Sequence, residues 1–398
     1  MLKSQLKSIM LAIGALAFAI CLITMPTETL AASKRGVDIW SNTVFPSLLP
    51  FFITGEILIG FGVVHFIGVL FEPIMRPIFN VPGVGSFVWA MGMASGYPAG
   101  AKFTARMRQE GQLTQVEAER LVAFTNASNP LFIIAAVSVG FFQSPTLGIL
   151  LTVSHYSSNL LVGIVMRFYK ANYTSRHRKN AQQNIWKRAF TTLHHTRIKS
   201  NKPFGKLFGD AVIHSVQTLL MIGGFIIFFS VFSNILIEVG LADIGSQLIE
   251  NIFVRFNIPE KLALPFFTGI FEITLGAQQI SSYINEPMIA KAILVSLLLA
   301  FNGFSVQAQV ASILAETDIR YMPYLLGRIL QGIFSAGIVI IASPYLMALS
   351  PKPIGHAIAV EAPLQSSYLF NQLYQVGPLI TLVGLASAFI LCALRQLK

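Results

Sequence analysis

The stretch Gly92-Met-Ala-Ser-Gly-Tyr-Pro-Ala-Gly-Ala-Lys102 decides how the chain is to be read. It closes an apolar segment, 84–101, that is nearly long enough to cross a bilayer as helix. Yet Gly92, Gly96 and Gly100 recur at four-residue spacing with Pro98 among them, and a proline removes an amide donor and clashes with the preceding turn. Arg76 precedes the segment and Lys102, Arg106 and Arg108 follow it, so the positive-inside bias places both of its ends in the cytoplasm. A re-entrant hairpin with its tip at Ser95, Gly96 and Tyr97 is predicted. The alternative is a close-packed GxxxG seam between regular helices.

Working outward, the 398 residues are 54% hydrophobic and only 11% charged, against about 25% charged in soluble domains. A mean hydropathy of +0.67 places the chain in a bilayer. An apolar run from Ile9 to Met25 reads as an anchor span or as a signal peptide, and either gives the same topology. Residues 26–40 are then expected outside, with crossings at about 45–70, 121–142, 146–169, 211–238, 288–314, 323–347 and 375–394. Segment 240–260 is expected outside, a second hairpin is expected at 262–280, and an external loop at 350–372. The net charge is +11, and residues 170–206 hold ten Lys and Arg, among them Arg176, Arg178, Lys179 and Lys202, with no acid. Nucleic-acid or anionic-lipid binding is one reading of such a block; a cytoplasmic loop obeying the positive-inside bias accounts for it without a nucleic-acid partner.

A shift of 172 to 178 residues superimposes the two halves. Asp38 falls on Asp210, Gly62 on Gly240, Glu72 on Glu250 and Asn80-Val-Pro82 on Asn257-Ile-Pro259. Gly92 meets Gly269, Gly100 meets Gly276, Phe124 meets Phe301 and Ser128 meets Ser305. The expected fold is thus an all-α polytopic membrane protein with an inverted-topology repeat, each half a span, a re-entrant hairpin and two spans. Its parts are 1–33 (anchor or signal peptide), 34–169 (first repeat), 170–206 (basic loop), 207–349 (inverted second repeat) and 350–398 (external loop and last span). Inverted repeats with interrupted segments at matching positions mark secondary transporters, the substrate lying where the broken segments face one another.

Candidate substrate contacts follow from that pattern. The first tip offers Ser95, Gly96, Tyr97 and Lys102; the second offers Thr274 and Gln278, with Glu272 as a proton- or sodium-coupling carboxylate. Polar residues that interrupt the next spans add Asn126, Ser128 and Asn129 in one half and Asn302, Ser305 and Gln307 in the other. Singly, such amides are also helix-to-helix hydrogen-bond partners, and Glu272 is also read as reaching an outer water layer. Glu56 and Lys291 carry the same ambiguity, and His155 reads as a packing or hydrogen-bonding residue. No phosphate loop, HExxH motif or Cys/His cluster is present, and the two cysteines, Cys21 and Cys392, sit at opposite ends. Neither an enzyme, a cofactor nor a metal is expected. The expected partners are a small anionic substrate, a coupling ion and the lipid bilayer; a homo-oligomer is compatible.

Val44-Phe-Pro-Ser-Leu-Leu-Pro-Phe-Phe52, Ser95-Gly-Tyr-Pro-Ala-Gly-Ala-Lys102, Phe124-Thr-Asn-Ala-Ser-Asn-Pro130 and the basic loop resemble the YlbJ-type sporulation integral membrane proteins, also called stage V sporulation protein V, nearly end to end. The glycine-rich hairpins also resemble the Gate, or nucleoside-recognition, domain of concentrative nucleoside transporters. The resemblance implies a protein of the outer forespore membrane of endospore formers. It implies that dipicolinic acid is moved out of the mother cell, a step linked to cortex formation and spore maturation; the alternatives are a nucleoside transporter and a non-transporting membrane scaffold for cortex assembly. It brings no catalytic residues and no ligand set.

Overall fold

Two left-handed corners mark one point in both halves: Gly62 at φ 77° and Gly240 at φ 76°. Each ends a long rod, because a residue with a Cβ rarely adopts that backbone conformation. In the computed structural model, which describes residues 2–130, 132–172, 185–200 and 203–348, the rods share one element order around them. The external loop 350–372, the last span 375–394 with Cys392, and Arg176, Arg178, Lys179 and Lys202 lie outside the described residues.

Helix α1 (Leu2–Thr24) bends by 101° into α2 (Pro26–Ile39). A π-helical turn, Trp40–Val44, joins α2 to α3 (Phe45–Gly60), making the first rod. After Gly62 comes α4 (Val63–Phe79), then the hairpin α5 (Val84–Ser95) and α6 (Ala99–Gln109). A broken span follows as α7 (Gln115–Thr125) and a π-helix, Phe132–Phe141, then α8 (Pro145–Met166). Helix α9 (Ile185–Ser200) packs on α4 through Phe66, Trp186 and Phe190. The series then recurs: a rod, α10 (Phe204–Glu238), and after Gly240 α11 (Leu241–Arg255). The second hairpin is α12 (Ala263–Phe271) and α13 (Ile273–Ser282), the second broken span α14 (Met288–Phe301) and α15 (Gly303–Ala315), and α16 (Tyr321–Ala348) closes it. The described residues are helical and contain no strand. Among the described residues, four helical stretches are long and apolar enough to cross a membrane, or six if the bent pairs count as spans.

Matched elements run antiparallel. Ser230 Oγ donates to the Ala32 carbonyl at 2.8 Å, Trp40 Nε1 to the Leu219 carbonyl at 2.8 Å, and Gly60 lies against Leu207. Helices α8 and α16 likewise meet head to tail, through Asn159 with Arg328 at 3.2 Å and His155 with Gln331 at 3.2 Å.

Three stretches take a form that the hydropathy reading did not predict. Residues 26–40, expected outside, are helix; Ala32 and Gly36 bring α2 against α10, and Arg35 bonds Asn234 at 2.7 Å. Charges at Glu28, Lys34, Arg35 and Asp38 hide this part of the rod from a hydropathy reading. The expected crossing 45–70 breaks at Phe61–Gly62 with an 82° bend, and α4 leaves the rod as a separate amphipathic helix. Segment 240–260, read as external chain, contains its helical counterpart, α11.

Chain ends that the charge bias put on one side do meet. Arg108 grips Asp318 with two bonds of 2.8 and 2.7 Å, and Arg320 grips the buried Glu119 at 2.6 and 2.8 Å. Arg76 bridges Glu72 at 2.7 Å and Glu117 at 2.6 Å. The Arg108 guanidinium, by hydrogen bond and charge, holds the Asp318 carboxyl below its ordinary range. A carboxylate with a depressed folded-state value contributes stability at neutral pH and loses it as pH falls through that value. Half of the Asp318 side chain is exposed, so a double-mutant cycle of Arg108→Ala and Asp318→Ala, read by thermal unfolding, is expected to give about 0.2–1 kcal/mol at pH 7. The same cycle should shrink toward zero in acid.

Candidate functional site

The first hairpin turns because α5 stops at Ser95 and Gly96 takes φ 91°. Its arms close on the end of α7: a Cβ on Gly92 or Gly100 would lie 2.1 or 2.3 Å from the Thr125 carbonyl oxygen. Beyond Thr125 the helix stops and the chain turns tightly at Asn126 (φ −85°, ψ 84°), where the Ala127 amide donates to the Thr125 carbonyl at 3.1 Å. Asn129 ties this break to the tip, donating to the Ser95 carbonyl at 2.9 Å and accepting from the Phe132 amide at 2.7 Å. His155 Nε2 accepts the Ser128 amide at 3.0 Å, and Tyr156 donates to the Ser128 carbonyl at 2.8 Å. Glycine spacing here does serve close packing, but Gly96 serves the turn.

The second half repeats the device with different residues. Glu272, extended at φ −140°, separates α12 from α13, and its carboxylate accepts the Leu275 amide at 2.7 Å as a helix cap. Gly269 and Gly276 pinch the arms together: a Cβ on Gly276 would fall 2.1 Å from the Gly269 Cα. The span breaks at Asn302, φ 75°, followed by Gly303, φ 65°. Tyr97 of the first tip reaches across to donate to the Leu299 carbonyl of this second broken span at 3.2 Å.

Between the two tips, the first break and the start of α15 lies a cavity of about 570 Å³, within the range of small-molecule sites. Of the sequence-derived candidates it brings together Ser95, Gly96, Tyr97, Ser128, Asn129, Glu272, Thr274 and Ser305. Glu272 is the one ionisable carboxylate among its described lining residues, and it is 8% exposed, turned onto its own helix rather than toward an outer water layer.

Five candidates lie elsewhere. Lys102 is carried by α6 away from the tip, into a separate recess of about 220 Å³, 3.9 Å from Glu56 and over the Phe52 ring at 4.2 Å. Asn126 and Asn302 are fully buried, and both amides meet the Tyr324 hydroxyl at 3.0 Å. Gln307 is held between the Phe301 carbonyl and the Tyr321 hydroxyl, both at 2.6 Å. Gln278 is exposed on α13. Sequence reasoning missed Asn42 and Gln309, which line the cavity. Gln309 stands one helical turn beyond Ser305, a spacing that marks it; Asn42 lies in the part of the rod that charge disguised. It also passed over Arg328, fully buried in the centre of the bundle.

Paired hairpins and broken spans about one cavity define a class of membrane protein, and the family model described as "Gate: Nucleoside recognition" matches residues 42–167 and 219–319. Those two stretches hold the hairpins and breaks of the two halves and leave out the basic segment between them. A sporulation integral membrane protein, YlbJ of Bacillus subtilis (strain 168), is 48% identical over 398 residues, covering 98% of this chain and 97% of its own. This chain belongs to that family of integral membrane proteins with a Gate domain. No solved structure matches it.

Proposed function

We propose that the chain is a secondary transporter whose substrate rests in the cavity between the two hairpin tips, and that its substrate is a small organic anion, dipicolinate above all. The observation that carries this reading is the meeting at one cavity of three chain breaks, both hairpin tips and the first broken span, with the first turn of α15 that follows the fourth. Non-helical backbone at membrane depth is tolerated where it lines such a cavity, and transporters place substrate there. The antiparallel run of matched rods is what two inverted halves of an alternating-access machine require. Sporulation enters through the relative's name, and dipicolinate through the motifs that resemble its family. Export from the mother cell across the outer forespore membrane is the corresponding task.

The chemistry narrows the mechanism. Asn42, Asn129, Ser95, Ser305 and Gln309 line the wall and supply hydrogen bonds to carboxylates, and Tyr97 offers a ring face to an aromatic substrate. A dianion beside an ionised Glu272 is repelled, so Glu272 takes up a proton or a sodium ion with the substrate. No bond in the substrate is made or broken. A second reading, a nucleoside as cargo, is favoured by the family description and by an amide-rich wall suited to a neutral ligand.

Proteoliposomes loaded with radiolabelled dipicolinate test the two. Protein-dependent efflux of dipicolinate, unaffected by excess uridine, is the expected result. Efflux of uridine alone would keep the site and replace the substrate, and efflux of neither under proton or sodium gradients would overturn the transporter reading.

A further inference from the structure

Helix α7 ends at Thr125, and the carbonyls near its end lack the amides that a continuing helix would bring. Arg328 of α16 fills that place. Its guanidinium donates to the Asn126 carbonyl at 2.8 Å and to the Ala123 carbonyl, and it also meets Asn159 Oδ1 at 3.2 Å and Gln331 Oε1. The ring of Tyr324 lies 5.6 Å from it. Every one of these partners is formally neutral. Arg328 is 0% exposed, and among the described residues no carboxylate pairs with it. A charge in such a setting is costly and is by default functional.

Comparison of the halves shows that a broken span does not need it. At the second break, the Leu299 carbonyl is taken by the neutral Tyr97 hydroxyl, and Asn302 meets Tyr324. Helices α8 and α16 pair about His155 and Gln331, and the Arg328 guanidinium meets Asn159 one turn further along α8. The first break holds a cation where the second holds the hydroxyls of Tyr97 and Tyr324. Carbonyl-bearing ends of half-helices carry partial negative charge, and in transporters built from broken helices they coordinate the coupling metal ion. A path of contacts runs from the guanidinium to Gln331, on to His155, and to the Ser128 amide on the cavity wall.

We propose that Arg328 is a tethered cation occupying the carbonyl site at the first break, the kind of site at which transporters built from broken helices hold a free coupling ion. Sodium is then not required at this site, and removal of the guanidinium opens a site for a small monovalent cation. We further take the proton, and not sodium, as the ion at Glu272, so that sodium is required at neither place. The flux arm of the test rests on the transporter reading; the stability arm does not.

The full chain is purified with Arg328→Ala and, as a variant that keeps volume and a donor, Arg328→Gln, and thermal midpoints are read in choline, sodium and low methylguanidinium chloride at equal ionic strength. The wild type is expected to melt at the same temperature in choline and sodium. The variants are expected to melt lower in choline and to regain most of the loss in methylguanidinium or sodium. In proteoliposomes, wild-type flux should be equal in choline and sodium. Equal destabilisation of the variants in all three salts would show a merely structural arginine and overturn the proposal, as would a wild type whose midpoint or flux depends on sodium. If neither variant accumulates, Arg328→Lys is read in their place: a midpoint near the wild type's in choline and sodium alike supports a tethered cation, and a large loss that no salt relieves overturns it.

Discussion

Alanine at Gly276, or at Gly100, is expected to remove most of the folded protein. An added Cβ at Gly276 meets backbone atoms of Gly269 at 2.1 and 2.6 Å, and at Gly100 it meets the Thr125 carbonyl and the Asn126 amide at 2.3 and 2.6 Å. Backbone cannot rotate aside as a side chain does, so the hairpin arms must separate from each other or from the broken span. Overpacking of this kind costs about 1–3 kcal/mol where side chains yield, and backbone contacts place these two sites at or above the upper end. Yield and thermal midpoint in detergent should both fall sharply. Alanine at Gly224, which has nothing within 4 Å, should leave both unchanged. Equal tolerance at all three positions would mean that the hairpins do not close as described.

Glu272→Gln is expected to have the largest effect on transport with little on folding. The amide oxygen of glutamine can still accept the Leu275 amide, now at 2.7 Å from the carboxylate, so the start of α13 keeps its cap. What disappears is the one ionisable carboxylate among the described residues of the cavity wall. A coupling free energy of about 1–3 kcal/mol corresponds to roughly 5- to 150-fold, and gradient-driven accumulation of dipicolinate should fall within that range. Passive exchange of labelled for unlabelled dipicolinate should persist. Undiminished accumulation in the variant would remove Glu272 from coupling.

Much of this architecture was legible because similar runs of residues recur in the two halves of the sequence. Gly92 with Gly269, Gly100 with Gly276 and Ser128 with Ser305 marked hairpins and breaks that a single copy would have left ambiguous. Pro98 argued against a regular helix at the first tip, and the chain breaks there, at Gly96. The rod from residue 26 was harder to see, since α2 meets α10 through small residues and carries four charges, one of which, Arg35, bonds Asn234 of α10. Gly62 was matched to Gly240 in sequence, but only a backbone angle shows that the chain turns a corner there. Within the site, sequence distinguishes an interrupted span but not the direction of each side chain. That is why Lys102, three residues into α6, went with the tip on paper and sits with Glu56 in space. Arg328 escaped because an arginine early in a predicted span reads as a cytoplasmic flank, whereas the fold buries it against the end of a different helix.

The measurement that bears most directly on a shared, alternately exposed cavity is thiol protection. Cys21 and Cys392 are replaced by alanine, and Ser305→Cys, on the cavity wall, is compared with Gln278→Cys, on the exposed face of α13. A membrane-impermeant maleimide is applied to sealed vesicles from either side, with and without dipicolinate. The account expects Ser305→Cys to be labelled from both sides and protected by dipicolinate, while Gln278→Cys is labelled from one side only and ignores the substrate. Labelling of Ser305→Cys from a single side, unchanged by dipicolinate or uridine, would contradict it.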